Sequence, residues 1–114
     1  MSHGGIALGR HGERLAEGWY RNNGYEIVAR NWRCEIGEVD LIATRDGVLV
    51  IAEVKTRVSA RYGLPAEAVG YAKQHKLRRL AALWLATSPQ RFDEVRFDVV
   101  SIIGNRVEAI SGAF

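Results

Sequence analysis

The chain has 114 residues, 47% hydrophobic and 25% charged, a balance that excludes a disordered or fibrous protein. A chain of this size hides about two thirds of its unfolded surface, so a single domain over residues 1–114 is expected, without staples or structural metal. Sixteen Lys and Arg against 13 Asp and Glu leave a net charge of +3, mildly basic and compatible with a polyanionic partner. Cys34 is the only cysteine, which excludes an internal disulfide. No segment has the length of a membrane span and the first residues do not resemble a signal peptide, so a cytoplasmic protein with no membrane partner is expected.

In chain order, Leu8, Leu15, Ala16 and Trp19 fall at helical spacing, predicting an amphipathic helix from Leu8 to Asn23 that stops at Gly24. Tyr25, Ile27 and Ala29 then alternate with Glu26, Val28 and Arg30, a strand pattern reaching Trp32, and Cys34 to Gly37 is a connection. Val39 to Thr44 and Val48 to Val54 are apolar runs around Asp46-Gly47, a strong signal for a tight hairpin turn. Pro65 opens a long helical pattern with Leu77, Leu80, Ala81, Trp84 and Leu85 in one stripe, closed by Pro89. Val95 to Ile103 is apolar on both faces, as a buried strand is, and Gly104-Asn105 turns it into Arg106 to Ile110. The order helix, three strands, helix, two strands predicts an α/β fold with a central mixed sheet. A helical crossover should place the fourth strand parallel to the third.

With Asp46-Gly47 as a two-residue loop, Arg45 faces Val48, Asp40 faces Glu53 and Glu38 faces Lys55. Two acids, a lysine and a third acid then gather at one end of an apolar hairpin; a register slip of one residue would scatter them. Facing carboxylates repel unless a proton or cation intervenes, and oxygen ligands of this kind suit Mg²⁺ together with waters and phosphate oxygens. An adjacent lysine serves a phosphodiester transition state or positions the attacking water. The chemistry suggested is metal-assisted phosphodiester hydrolysis. The structural alternative is a Glu38–Lys55 surface salt bridge beside a wet strand end.

The words Gly37-Glu38-Val39-Asp40-Leu41-Ile42-Ala43 and Ile51-Ala52-Glu53-Val54-Lys55-Thr56-Arg57 resemble the D…ExK signature of the PD-(D/E)XK nuclease superfamily. They are most similar to its YraN-type family of small bacterial endonuclease-like proteins, related in fold to Holliday junction resolvases. Further matches are Gly9-Arg10-His11-Gly12-Glu13 with Ala16, then Arg30-Asn31, Lys73, and Arg96-Phe97-Asp98-Val99-Val100. The resemblance implies a restriction-endonuclease-like core and a Mg²⁺-dependent endonuclease, Mn²⁺ substituting, acting on branched or structured DNA. It implies metal held by Asp40, Glu53 and the main-chain carbonyl of Val54, water served by Lys55, and an acidic site completed by Glu13. Val39 stands where the superfamily's name has proline. A resolvase acts on two strands, so a homodimer is expected. The alternative is a non-catalytic nucleic-acid-binding module that retains the fold.

Other residues carry two readings each. Glu13 also suits the early turns of a helix through the helix dipole. Lys73 falls inside the apolar stripe of the second helix, so it either snorkels to solvent or contacts phosphate. Arg57 and Arg61, with Lys76, Arg78 and Arg79 further on, form a solvated face or hold a phosphate backbone. Asp98 is expected to cap or pair with Arg96. His3, His11 and His75 have no partners at zinc-ligand spacing. Trp19, Trp32 and Trp84 are expected in the core or at its rim.

Overall fold

A computed structural model describes residues 2–57 and 69–114, with side chains from residue 9 onward at the N-terminal end. Helix α1 (Ser2–Asn22) is followed by strands β1 (Glu26–Cys34), β2 (Gly37–Arg45) and β3 (Val48–Arg57). Helix α2 (Tyr71–Thr87) and strands β4 (Glu94–Ile103) and β5 (Arg106–Ile110) complete the chain. The five strands form one mixed sheet in sequential order. β3 and β4 run parallel and the other neighbours antiparallel, as the helical connection requires. No described helix is long and apolar enough to cross a membrane.

The helices cover opposite faces of the sheet. On one face Ala16 and Tyr20 of α1 pack with Leu41, Ala43, Val50, Ala52, Val100 and Ile102. On the other, Leu77, Leu80 and Ala81 of α2 pack with Val39, Ile42, Leu49, Ile51, Phe97 and Val99. A parallel pair buried on both sides needs apolar residues at consecutive positions, which explains the unbroken runs in β3 and β4.

Local chemistry sets the ends of these elements. Gly24 (φ +86) closes α1 with two backbone bonds, from its own N–H to the Arg21 carbonyl and from Tyr25 N–H to the Tyr20 carbonyl. Asp46 (φ +51) and Gly47 (φ +80) form the two-residue turn, and the β2–β3 register runs from Arg45↔Val48 to Leu41↔Ala52 as expected. α1 begins at Ser2, well before Leu8, since nothing in the Gly-containing start terminates it. α2 begins at Tyr71 because Gly70 is extended (φ −74, ψ 174), while Val69 just before it is anchored in the core. Pro65 lies outside the described residues.

β1 departs from simple alternation. A bulge between Ile27 and Ala29 sends Ala29 to the α2 face, away from Tyr25 and Ile27. A second irregularity follows at Asn31, whose φ is +47. Ala29 and Trp32, three residues apart, pack on the same face, as do their partners Ile42 and Val39 on β2. Both strands therefore switch faces together at the step holding Asn31 and Asp40.

Below α1, Asp98 is fully buried and accepts hydrogen bonds from Tyr20 Oη (2.7 Å), Arg96 Nε (2.9 Å) and the Gly112 N–H (3.0 Å). Arg96 also donates to Tyr25 Oη at 2.8 Å. The pairing of Asp98 with Arg96 matches expectation, and these donors satisfy both oxygens of the buried carboxyl.

Candidate functional site

The β2–β3 ladder stops at Leu41↔Ala52, one step before Asp40 and Glu53. Beyond that point β2 turns its faces, and the Val54 N–H donates to Asp40 Oδ2 at 2.8 Å instead of to a β2 carbonyl. The two strands thus fork at Asp40. Its half-buried carboxyl sits in the fork within hydrogen-bonding reach of the Glu53 carboxyl. Burial and the neighbouring Glu53 carboxyl raise Asp40 up to about 7, opposed by the Val54 N–H and assisted by the charge of Glu13. The side chain is therefore poised to share a proton with Glu53 or to surrender it to a cation.

Glu53 is 5% exposed and faces α2. Its Oε2 takes Lys73 Nζ at 3.2 Å and Lys55 Nζ at 3.7 Å. Lys73, partly exposed, therefore reaches a buried acid, neither simply snorkelling to solvent nor free for phosphate. Glu38 does not face Lys55. Because the strands have forked, Glu38 stays paired with β1 and accepts from Arg33 Nε at 3.2 Å. The expected third acid is thus absent from the hairpin end.

Glu13 approaches from the opposite face. It lines a cleft of about 240 Å³ with Arg10, Arg14, Glu17, Arg30, Asn31, Asp40 and Leu41. Asn31 Nδ2 donates to Glu13 Oε1 at 3.3 Å. The neighbouring Gly12 brings α1 onto the sheet so closely that a Cβ there would run into Thr56 Oγ1. Asn31, Arg10 and Arg14 belong to this site although the sequence reasoning gave them no role. The signal available was the Arg-x-x-Glu-Arg spacing, which puts both arginines on successive turns flanking Glu13.

Arg57 ends β3 opposite Ile103, and Arg61 lies outside the described residues. Arg78 lies over the rings of Phe97 (4.8 Å) and Phe114 (5.7 Å), which commits it to the C-terminal edge of the core. Trp19 packs at the rim of the α1-side core, and Trp32 and Trp84 at that of the α2 side.

Among the described residues no group of three or more His, Cys, Asp or Glu side chains is arranged to hold a metal ion. A pair of adjacent acids nonetheless fits an ion such as Mg²⁺, which commonly keeps several waters and uses one or two carboxylates. The raised Asp40 supports that fit, since two carboxyls held this close favour a positive charge between them.

Fold and site together define a mixed α/β domain with a carboxylate pair and two lysines at a fork in its sheet. The chain belongs to the uncharacterised protein family UPF0102, whose family model matches residues 12–102. A UPF0102 protein of Nocardia farcinica is 53% identical over 97 residues, covering 85% of this chain and 76% of the relative. Those of Rhodococcus opacus and Rhodococcus jostii are 49% and 50% identical across the full length of both chains.

Proposed function

We propose that the protein is a Mg²⁺-dependent endonuclease that hydrolyses phosphodiester bonds in DNA. The observation that carries this is the pairing of half-buried Asp40 with buried Glu53 at the strand fork, with Lys55 and Lys73 on one Glu53 oxygen. A divalent cation would be held by Asp40, Glu53 and the Val54 carbonyl, with Mn²⁺ able to replace Mg²⁺, and would polarise the scissile phosphate. The element order, with a hairpin carrying both acids and a helical crossover to a parallel strand, supports a restriction-endonuclease-like core. Branched or structured DNA is the favoured substrate by resemblance, and a homodimer the favoured assembly.

The chain's own groups divide the work. Lys55 donates from β3, orienting the attacking water and offsetting negative charge that develops on the phosphate. Lys73 reaches the same Glu53 oxygen from α2 and fixes that carboxylate's direction. Glu13, steadied by Asn31, accepts from water on the α1 side. In hydrolysis the water oxygen bonds to phosphorus, one P–O ester bond breaks, and the leaving oxygen takes a proton. The products are a phosphomonoester and a free hydroxyl.

The test incubates wild-type protein and Asp40→Asn with linear, nicked and four-way-junction DNA in Mg²⁺, Mn²⁺ or EDTA. Cleavage is expected only for wild type with metal, with losses of at least a hundredfold for Asp40→Asn and Lys55→Gln. Cleavage that survives in Asp40→Asn or in EDTA removes this site from the reaction. DNA binding without cleavage under every metal condition leaves a nucleic-acid-binding module instead.

A further inference from the structure

Three arginines line the cleft beside Asp40 on the α1 side, and they are not equivalent. Arg30 is committed to Glu17, with contacts of 2.6 and 2.8 Å, and Glu17 also takes Arg21 at 2.9 Å. Those bonds hold the Glu17 carboxyl down to about 2. Arg10 and Arg14 are exposed, and neither has an acidic partner among the described residues. They stand on successive turns of α1 with Glu13 between them, their Cβ atoms about 5–6 Å apart by helix geometry. On the other face, Lys55 and Lys73 both lie against Glu53. Among the described residues, arginines without an acidic partner thus line the cleft on the α1 side of the carboxyl pair.

We propose that Arg10 and Arg14 form a clamp for the sugar-phosphate backbone of a nucleic acid strand. The strand runs along the α1 rim of the cleft and presents a phosphodiester between the clamp and Asp40. The polyanion's identity rests on the function proposed above; the side from which it approaches rests on the two unpaired guanidiniums. A guanidinium fork matches two phosphate oxygens, and two flexible arginines one turn apart can reach successive phosphates of one strand. Such contacts fix orientation and carry no base information, so binding through them is indifferent to sequence. The Arg30–Glu17 pair also lines the cleft and, being committed, does not compete for the ligand.

The experiment measures fluorescence anisotropy of labelled single-stranded, duplex and four-way-junction DNA in EDTA across a salt series. Arg10→Gln and Arg14→Gln should each flatten the dependence of log K on log salt by about 0.7–0.9, the value of one phosphate contact. The double variant should lose at least tenfold in affinity at low salt with an unchanged melting temperature. Arg91→Gln, an exposed change of equal charge in the loop after α2, should leave affinity and slope unaltered. The clamp is overturned if the double variant binds like wild type, if Arg91→Gln loses as much, or if wild type binds none of the DNAs. Binding that depends on Arg10 and Arg14 in a protein that cleaves nothing keeps the clamp and removes the enzyme. Cleavage by a protein whose binding ignores both arginines does the reverse.

Discussion

Asp40 ties the site to pH, because its carboxyl is pushed up to about 7 by burial and by Glu53. From its ordinary value near 4 up to about 7, the folded chain holds a proton that the unfolded chain releases. Stability should therefore fall as pH rises through that window. Asp40→Asn removes the effect, and at pH 8 in EDTA it should raise stability by about 1–2 kcal/mol, a gain absent at pH 4; thermal melts at the two pH values check this. If the proposed divalent ion is held there, it has to displace that proton below about pH 7. Mn²⁺ affinity measured by calorimetry should accordingly drop up to tenfold for each pH unit below it, and Asp40→Asn should bind no ion. Asn31 is the other residue with a local demand. Its backbone lies in the left-handed region, so Asn31→Val should cost about 1–2 kcal/mol and Asn31→Gly much less, a difference readable by urea titration.

At the scale of elements, α1 is seated on β3 by the absence of a side chain at Gly12. Gly12→Ala should destabilise by about 1–3 kcal/mol, and Thr56→Ala in the same chain should recover part of the loss in a double-mutant cycle. The buried Asp98 joins α1 to β4 and to the C-terminal turn. Asp98→Ala leaves Arg96 with no acid and should cost about 3 kcal/mol or more, against about 1 kcal/mol for Tyr20→Phe. The hairpin register was legible because Asp46-Gly47 states its turn type in two adjacent residues, and that register placed Asp40 near Glu53. The fork was not legible. Asn31 in the left-handed region looks like any other asparagine in a string of letters, yet it turns both strands over and takes Glu38 away from Lys55. The reach of Lys73 to Glu53 was half visible: its place in the apolar stripe showed the direction of the stem but not the acid beneath it.

Over the whole molecule, the site draws Glu13 from α1, Asp40 from β2, Glu53 and Lys55 from β3, and Lys73 from α2. The two acids come from one hairpin with a short connection, whereas the flanking groups arrive from both helix layers. α1 lies N-terminal to the hairpin and α2 belongs to the crossover, so no contiguous fragment shorter than residues 13–73 contains all five. β1 forms one outer edge of the sheet, and it carries both a bulge and a change of face within nine residues. A strand bent twice in that length offers no flat row of amides to an incoming chain. The local twist that opens the fork should equally discourage the protein from stacking, edge to edge, into aggregates.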